Sequence, residues 1–145
     1  MTPDVNVLVA ASRSDHPHHA VAREWLESAI TASRAGASFT LMPMVLASFL
    51  RLVTSPKIFN EPTPTNDAIA FVDAMLASPG VRLASLGPEW SRLRQLCLDQ
   101  QLGGNALPDA WLSAAVAHLG EHLVSFDRDF RKLLGRSQLT LLKPS

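Results

Sequence analysis

The chain reads as an α/β fold, with a central and mostly parallel sheet flanked by helices on both faces. Three observations lead to that reading. Strand-like apolar runs alternate with stripes of helical spacing along the whole sequence. Parallel neighbours need a crossover between them, and a helix fills it. Gly36, Pro56, Pro79-Gly80, Gly103-Gly104 and Gly120 punctuate the alternation where turns are required. At 145 residues the chain can bury one full core and is too short for two ordinary ones, so a single domain spanning 1–145 is expected.

Val5 to Ala11 is apolar apart from Asn6, the pattern of a parallel strand buried on both faces, and predicts the first strand. Ser14-Asp15-His16-Pro17 is a helix start signal, after which Val21, Trp25 and Ala29 with Ala22, Leu26 and Ile30 trace one apolar stripe up to Gly36. Ala37 to Leu41 predicts a short strand. Pro43 suits a first helical turn, and Val45, Leu46, Phe49, Leu50 and Val53 carry that helix to Thr54, before Pro56 stops it. Thr63 as cap and Pro64 as first helical residue introduce a helix over Ala68 to Ala77. Val81 to Leu86 predicts a strand, and Trp90, Leu93, Leu96 and Cys97 the buried stripe of the next helix. Pro108 begins a helix through Leu119 with Gly120 as its stop, and strands at 122–126 and 139–142 complete the pattern.

With 47% hydrophobic and 18% charged residues the composition is globular rather than disordered or fibrous. No window reaches the roughly 18 apolar residues of a membrane span, and no basic region precedes a long apolar run, so no membrane partner is expected. Cys97 is the only cysteine, which excludes an internal disulfide and a cysteine-based zinc site and predicts the reducing cytoplasm. A net charge of zero offers no global argument for nucleic-acid binding. Residues 128–145, however, carry Arg128, Arg131, Lys132, Arg136 and Lys143 against Asp129 alone, which reads either as a phosphate- or partner-facing patch or as a solvated tail.

Asp4, Asp109 and Asp127 each lie beside a different apolar segment. Ligands of open α/β sheets bind beyond the carboxyl ends of the strands; Asp127 follows a predicted strand, whereas Asp4 opens one. If the fold brings the three together, they form a pocket of hard oxygen donors for a divalent ion. Such an ion activates water and neutralises charge on a phosphodiester. Asp109 sits near a predicted helix N-terminus, whose dipole favours the ionised carboxylate by about 0.3 to 1 kcal/mol, while clustering with like charges pushes its pKa up. A metal resolves that conflict, and the metal-free site is expected to be electrostatically strained.

Simpler readings stand beside each of these. Asp4 also fits a strand-opening turn, Asp109 a helix-dipole partner, and Asp129 a cap for the segment from Arg131 onward. Asn6, Asn105 and Ser125 either orient ligands or water or serve turns and caps. His16, His18 and His19 lack a recognised metal spacing and read as turn, cap or surface groups, with substrate contact as the functional alternative. Trp25, Trp90 and Trp111 fall on helical stripes and read as core or interface packing rather than base stacking.

Taken together, Asp4-Val5-Asn6-Val7-Leu8, Gly104-Asn105-Ala106-Leu107-Pro108-Asp109-Ala110 and Leu123-Val124-Ser125-Phe126-Asp127-Arg128-Asp129-Phe130 resemble the PIN-domain pattern of VapC toxins. Val45-Leu46-Ala47-Ser48-Phe49-Leu50-Arg51-Leu52-Val53-Thr54, then Pro56-Lys57-Ile58-Phe59, is similar to one VapC subgroup, as is Asp15-His16-Pro17-His18-His19. The resemblance runs over nearly the whole chain. It implies a PIN-like domain and a Mg2+- or Mn2+-dependent endoribonuclease, the toxin of a toxin-antitoxin pair. It also implies a VapB-type antitoxin as partner, RNA as substrate and a homodimer. Asp4, Asp109 and Asp127 would hold the metal, with Asp129 assisting. The sequence departs from the family pattern at Ser48, where a glutamate usually stands, and no acid occurs between Glu27 and Glu61, which puts a second metal site in question. Arg51 and Lys57 in that acid-free interval, and Arg128, are candidates to contact RNA or the antitoxin, or are solvated charges. Two other classes stay open: a catalytically weak PIN scaffold that binds RNA or its partner, and a phosphoacceptor receiver-like domain. The latter wants paired acids near the first strand, where only Asp4 is present.

Overall fold

The apolar run after Asp4 is a helix. In the computed structural model, which describes residues 1–144, β1 is only Thr2–Pro3, and α1 spans Val5–Ser12. The predicted strand over Val5 to Ala11 is therefore corrected. An uninterrupted apolar run suits a doubly buried strand and a fully buried helix equally well. Here Val7, Leu8, Val9, Ala10 and Ala11 are all buried, so the helix is apolar on nearly every side because every side is packed. Asp4 marks where the helix begins. Its extended backbone and its carboxylate, which accepts from the Val5 N–H at 2.7 Å, make it the cap at which strand becomes helix.

Downstream the alternation holds. Helix α2 is His19–Arg34, β2 Phe39–Leu41, α3 Pro43–Val53, α4 Thr65–Ala77, β3 Val81–Leu83, α5 Trp90–Gln100, α6 Leu107–Leu119, β4 Leu123–Ser125 and β5 Leu139–Leu141. All strand pairs are parallel: β1 with β4, β4 with β5, and β2 with β3. The two pieces meet where the Thr40 N–H donates to the Met1 carbonyl at 2.9 Å, which sets a spatial order β3-β2-β1-β4-β5. Glu121 locks this junction. It pairs with the N-terminal ammonium at 2.9 Å and accepts from the hydroxyls of Thr40 at 2.6 Å and Ser38 at 2.9 Å. The two-residue β1 is thus held from both sides, and Asp4 is carried at its carboxyl end.

The core gathers Val7 and Leu8 of α1, Phe39 and Leu41 of β2, Phe49 and Val53 of α3, Val116 of α6, Leu123 of β4 and Phe130. Trp25 stacks on Phe39 with ring centroids 6.1 Å apart, and Phe49 on Phe71 at 5.3 Å. Trp25 therefore packs as its stripe predicts. Helix α5 does not. Its stripe of Trp90, Leu93, Leu96 and Cys97 contains no fully buried residue, and Trp90 is 62% exposed. The helix leans on α6 and leaves the remainder of its apolar side facing an open groove. No helix among the described residues is long and apolar enough to cross a membrane.

Thr63 is not a cap either. Its hydroxyl accepts from the Arg13 guanidinium at 3.1 Å, and α4 begins after Pro64. Arg13 is 8% exposed and needs partners on every side. It takes both oxygens of Asp15, the Glu61 carbonyl at 2.9 Å and the face of Phe59 at 3.8 Å, which ties the 59–63 connector to the end of α1. Strand β3 stops at Leu83, short of the predicted Leu86, because its partner β2 offers only three residues.

Gly80 closes the turn before β3 with φ at +85°, and a Cβ there would stand 2.2 Å from the Ser33 carbonyl oxygen. Gly36 has φ +102° with open space around it. Gly36→Ala is expected to cost about 1 to 2 kcal/mol, the strain of a positive φ. Gly80→Ala adds a backbone clash of about 1 to 3 kcal/mol to that strain. Urea denaturation of the two variants side by side checks the difference.

Candidate active site

A serine hydroxyl joins the two ends of the chain. Ser125 closes β4, and β4 pairs with β1, so the parallel register sets Ser125 beside Asp4. The Ser125 hydroxyl donates to Asp4 Oδ2 at 2.7 Å and accepts from the Asp127 N–H at 2.9 Å and from Asn6 Nδ2 at 3.2 Å. Its one proton and both lone pairs are in use. Asn6, in the first turn of α1, also accepts from the Phe126 N–H at 3.3 Å, so it holds the backbone that leads to Asp127. Asp127 in turn accepts from the Asp129 N–H at 2.9 Å and caps the 3-10 turn Arg128–Lys132. Asp4, Asn6, Ser125 and Asp127, four of the residues singled out from the sequence, therefore form one hydrogen-bonded chain.

Asp109 arrives from a third direction, in the first turn of α6. Its charge is felt at Asp4, and those of Asp127 and Asp129 are felt at Asp109. Asp4 is 5% exposed, and burial pushes its carboxyl up to about 6; the Ser125 and Val5 hydrogen bonds oppose the rise, and the charges of Asp109 and Asp127 add to it. Burial, then Asp127 and Asp129, also hold Asp109 above the ordinary range. The helix dipole favours the ionised form of Asp109, but lost solvation outweighs that effect. The raised carboxyls thus owe most to burial and less to mutual repulsion. Both Asp4 oxygens keep a free lone pair after their hydrogen bonds, so an all-oxygen donor set suited to a hard cation faces the site. As placed, no three His, Cys, Asp or Glu side chains among the described residues close round a common point tightly enough to hold an ion.

Asp129 is exposed, with Lys132 Nζ 3.9 Å away. Asn105 lies exposed in the 3-10 turn Gly104–Ala106, and Arg51, Lys57 and Arg128 are exposed. Ser48 lines the same groove as Asp4 and Asp109, so the position lacking an acid does face the site. The histidines form no metal cluster among the described residues. His19 Nδ1 is 2.8 Å from the Ala10 carbonyl, His16 Nδ1 accepts from the His18 N–H at 3.0 Å, and the His18 ring stacks on Phe126 at 5.1 Å.

Beside the carboxylates runs an open groove of about 1030 Å³ between α3, α5 and α6. Trp90, Leu98, Leu107 and Trp111 are exposed along it, and it ends on Asp4 and Asp109. Sequence reasoning passed over the residue that shapes its wall, Glu89. That side chain is 4% exposed and accepts from the Gly87 N–H and from Trp111 Nε1 at 2.9 Å. Although burial alone would raise it, these hydrogen bonds keep its carboxyl below the ordinary range. The one available signal was an acid immediately before a helix whose apolar stripe contains tryptophan.

A sequence model of the PIN domain matches residues 1–134. Ribonuclease VapC25 of Mycobacterium tuberculosis is 43% identical over 130 residues, which is 89% of each chain. Ribonuclease VapC31 of the same species is 43% identical over 132 residues, again 89% of each. The backbone is similar to that of VapBC2 from Rickettsia felis, solved bound to a DNA fragment from its promoter, with TM-score 0.65, 14% identity and 98% of each chain covered. It is also similar to VapC20 of M. tuberculosis, described as a sarcin-ricin loop cleaving toxin, with TM-score 0.64, 16% identity, and 90% and 92% of the two chains covered.

Asp4 generates a pH signature. Unfolded, it ionises near its ordinary 3.8; folded, near 6. Between those values the folded state keeps the proton and the unfolded chain loses it. The stability due to neutral Asp4 is therefore complete below about pH 4 and is lost as pH rises through about 6. In chelator, Asp4→Asn should match the parent at pH 4 and exceed it at pH 7.5 by up to about 2 to 3 kcal/mol, at 1.36 kcal/mol per pKa unit. Urea unfolding at the two pH values measures this, and an equal effect at both would contradict it.

Proposed function

The chain belongs to the PIN-domain family and, within it, to the VapC ribonucleases, and from that footing we propose that it is a divalent-metal-dependent endoribonuclease acting as the toxin of a toxin-antitoxin pair. The observation that carries the reading is the hydrogen-bonded chain of Asp4, Ser125 and Asp127 at the carboxyl ends of β1 and β4, with Asp109 near enough for its charge to raise the Asp4 carboxyl. Their oxygens suit Mg2+ or Mn2+. When bound, such an ion supplies a water of lowered pKa and neutralises charge on the phosphate. The chain's own residues do the positioning. Ser125 fixes the Asp4 carboxylate and the Asp127 backbone together, Asn6 holds the loop between them, and Asp129 adds negative charge at the outer side. RNA in single-stranded or loop form fits this open site, since an unpaired strand is flexible enough to bring a phosphate up to the carboxylates.

A VapB-type antitoxin belongs to the same reading. An amphipathic helix laid in the groove of α3, α5 and α6 would cover Trp90, Leu98 and Trp111, and a basic side chain at its end would meet Asp4 and Asp109. A homodimer and a cytoplasmic setting complete the proposal, the latter in keeping with the single free Cys97. The second reading, a scaffold that binds without efficient cleavage, is favoured by Ser48, which brings a hydroxyl to the site where the family pattern has a carboxylate.

Cleavage of a labelled RNA should require Mg2+ or Mn2+, stop in chelator and resume on adding the ion. Asp109→Asn and Asp127→Asn should each reduce it by more than roughly 100-fold, since even the outer support of a metal site is worth 10- to 100-fold. Calorimetric titration should show the ion's affinity falling in parallel. Cleavage that survives in Asp127→Asn would sink the assignment, and a parent that binds RNA without cutting it would favour the scaffold. Leu98 is 51% exposed, so Leu98→Glu should leave the fold intact and abolish co-purification with the antitoxin, while RNA cleavage persists.

A further inference from the structure

The carboxylates that would hold a cation also repel the polyanion that must approach them, and the chain places its answer immediately next in sequence. From Asp127 the backbone enters the turn Arg128–Lys132, passes Gly135 and returns as β5, the last strand of the order β3-β2-β1-β4-β5. Between this excursion and β5 lies a concave pocket of about 680 Å³, lined by Arg131, Leu134, Gly135, Arg136, Leu139 and Leu141. Exposed Arg131 and Arg136 line it together with three leucines that are more buried, and no carboxylate does. In this segment the sole ion pair among the described residues is Lys132 with Asp129, so Arg131 and Arg136 have their full charge available.

We propose that this pocket is the binding site for the RNA strand flanking the cleaved bond, with Arg131 and Arg136 clasping backbone phosphates and the leucines lying against ribose or base faces. The proposal deepens the ribonuclease reading and rests on it. A guanidinium fork matches two phosphate oxygens, which a solvated lysine cluster would not require a concave wall to do. Apolar surface between the arginines suits the unpaired bases of a single strand better than the closed edge of a duplex. The spacing also fits: at the roughly 2 Å rise of a 3-10 turn, Arg131 lies within about 8 Å of Asp127 along the backbone, a separation of one to three phosphates on a nucleic-acid strand. Arg136 stands just before β5, which starts level with the start of β4, so a strand leaving the carboxylates would meet Arg131 first and follow the β5 edge to Arg136, and their charge offsets the repulsion at the site.

Anisotropy of a fluorescent single-stranded RNA oligonucleotide, read with the full chain in chelator across a salt series, tests this. Arg131→Ala with Arg136→Ala should weaken binding about tenfold or more near 0.1 M salt. It should also flatten the salt dependence by about 1.4 logarithmic units per logarithmic unit, at roughly 0.7 for each phosphate contact on a single strand. Arg131→Lys with Arg136→Lys should restore the slope while recovering only part of the affinity, because the fork is lost. If the parent binds and cleaves RNA but the double alanine variant has the same affinity and slope, the pocket assignment is wrong and the ribonuclease reading stands. The pocket assignment fails equally if that variant loses only its antitoxin. If the parent neither binds nor cleaves RNA, both fall together.

Discussion

The Ser125 hydroxyl, donating to Asp4 and accepting from the Asp127 backbone, is the constraint on which the site depends. It spans 121 residues of sequence in one bond, and it exists only because β1 and β4 pair in parallel register. That register is secured at the far side by Glu121, which holds the N-terminal ammonium and Thr40. A shift of one residue would turn Ser125 to the opposite side of the sheet and release both aspartates. Removing the hydroxyl would leave an amide N–H and a buried carboxylate short of a partner, at about 1 to 3 kcal/mol for each unsatisfied group.

Burial at this point works against stability. Asp4 is sealed into the junction of β1 and α1, and its raised pKa records how poorly the folded chain tolerates its charge near neutrality. A protein selected for stability alone would place a neutral residue there. Perturbed carboxylates grouped at a strand's carboxyl end are the physical mark of a site built for something else. The position of Ser48 on the same groove limits how much negative charge is gathered there.

The apolar groove and the carboxylates are parts of one surface. Helix α5 rests on α6 without burying any of its own side chains completely, and Glu89 commits a buried carboxylate to holding Trp111 and the Gly87 backbone in place. Exposed tryptophan and leucine beside an acidic end make a surface suited to an amphipathic helix with a basic tip. After Asp127 the segment 128–136 supplies positive charge, from the turn that follows β4 to Arg136 just before β5.

The alternation of elements, the helix stops at Gly36 and Gly120 and the short strands after residue 80 were all legible in the amino-acid order, because each rests on local spacing and turn chemistry. Three features came from long-range packing instead. Packing made Val5–Ser12 a helix, since an apolar run buried on all sides carries no period with which to distinguish helix from strand. It left the α5 stripe half open, since a stripe of helical spacing reports that a face is apolar and not what covers it. And it joined Asp4 to Asp127 through Ser125, with Asp109 in range of the Asp4 charge, since contact over more than a hundred residues follows from strand order and register, which no local pattern encodes.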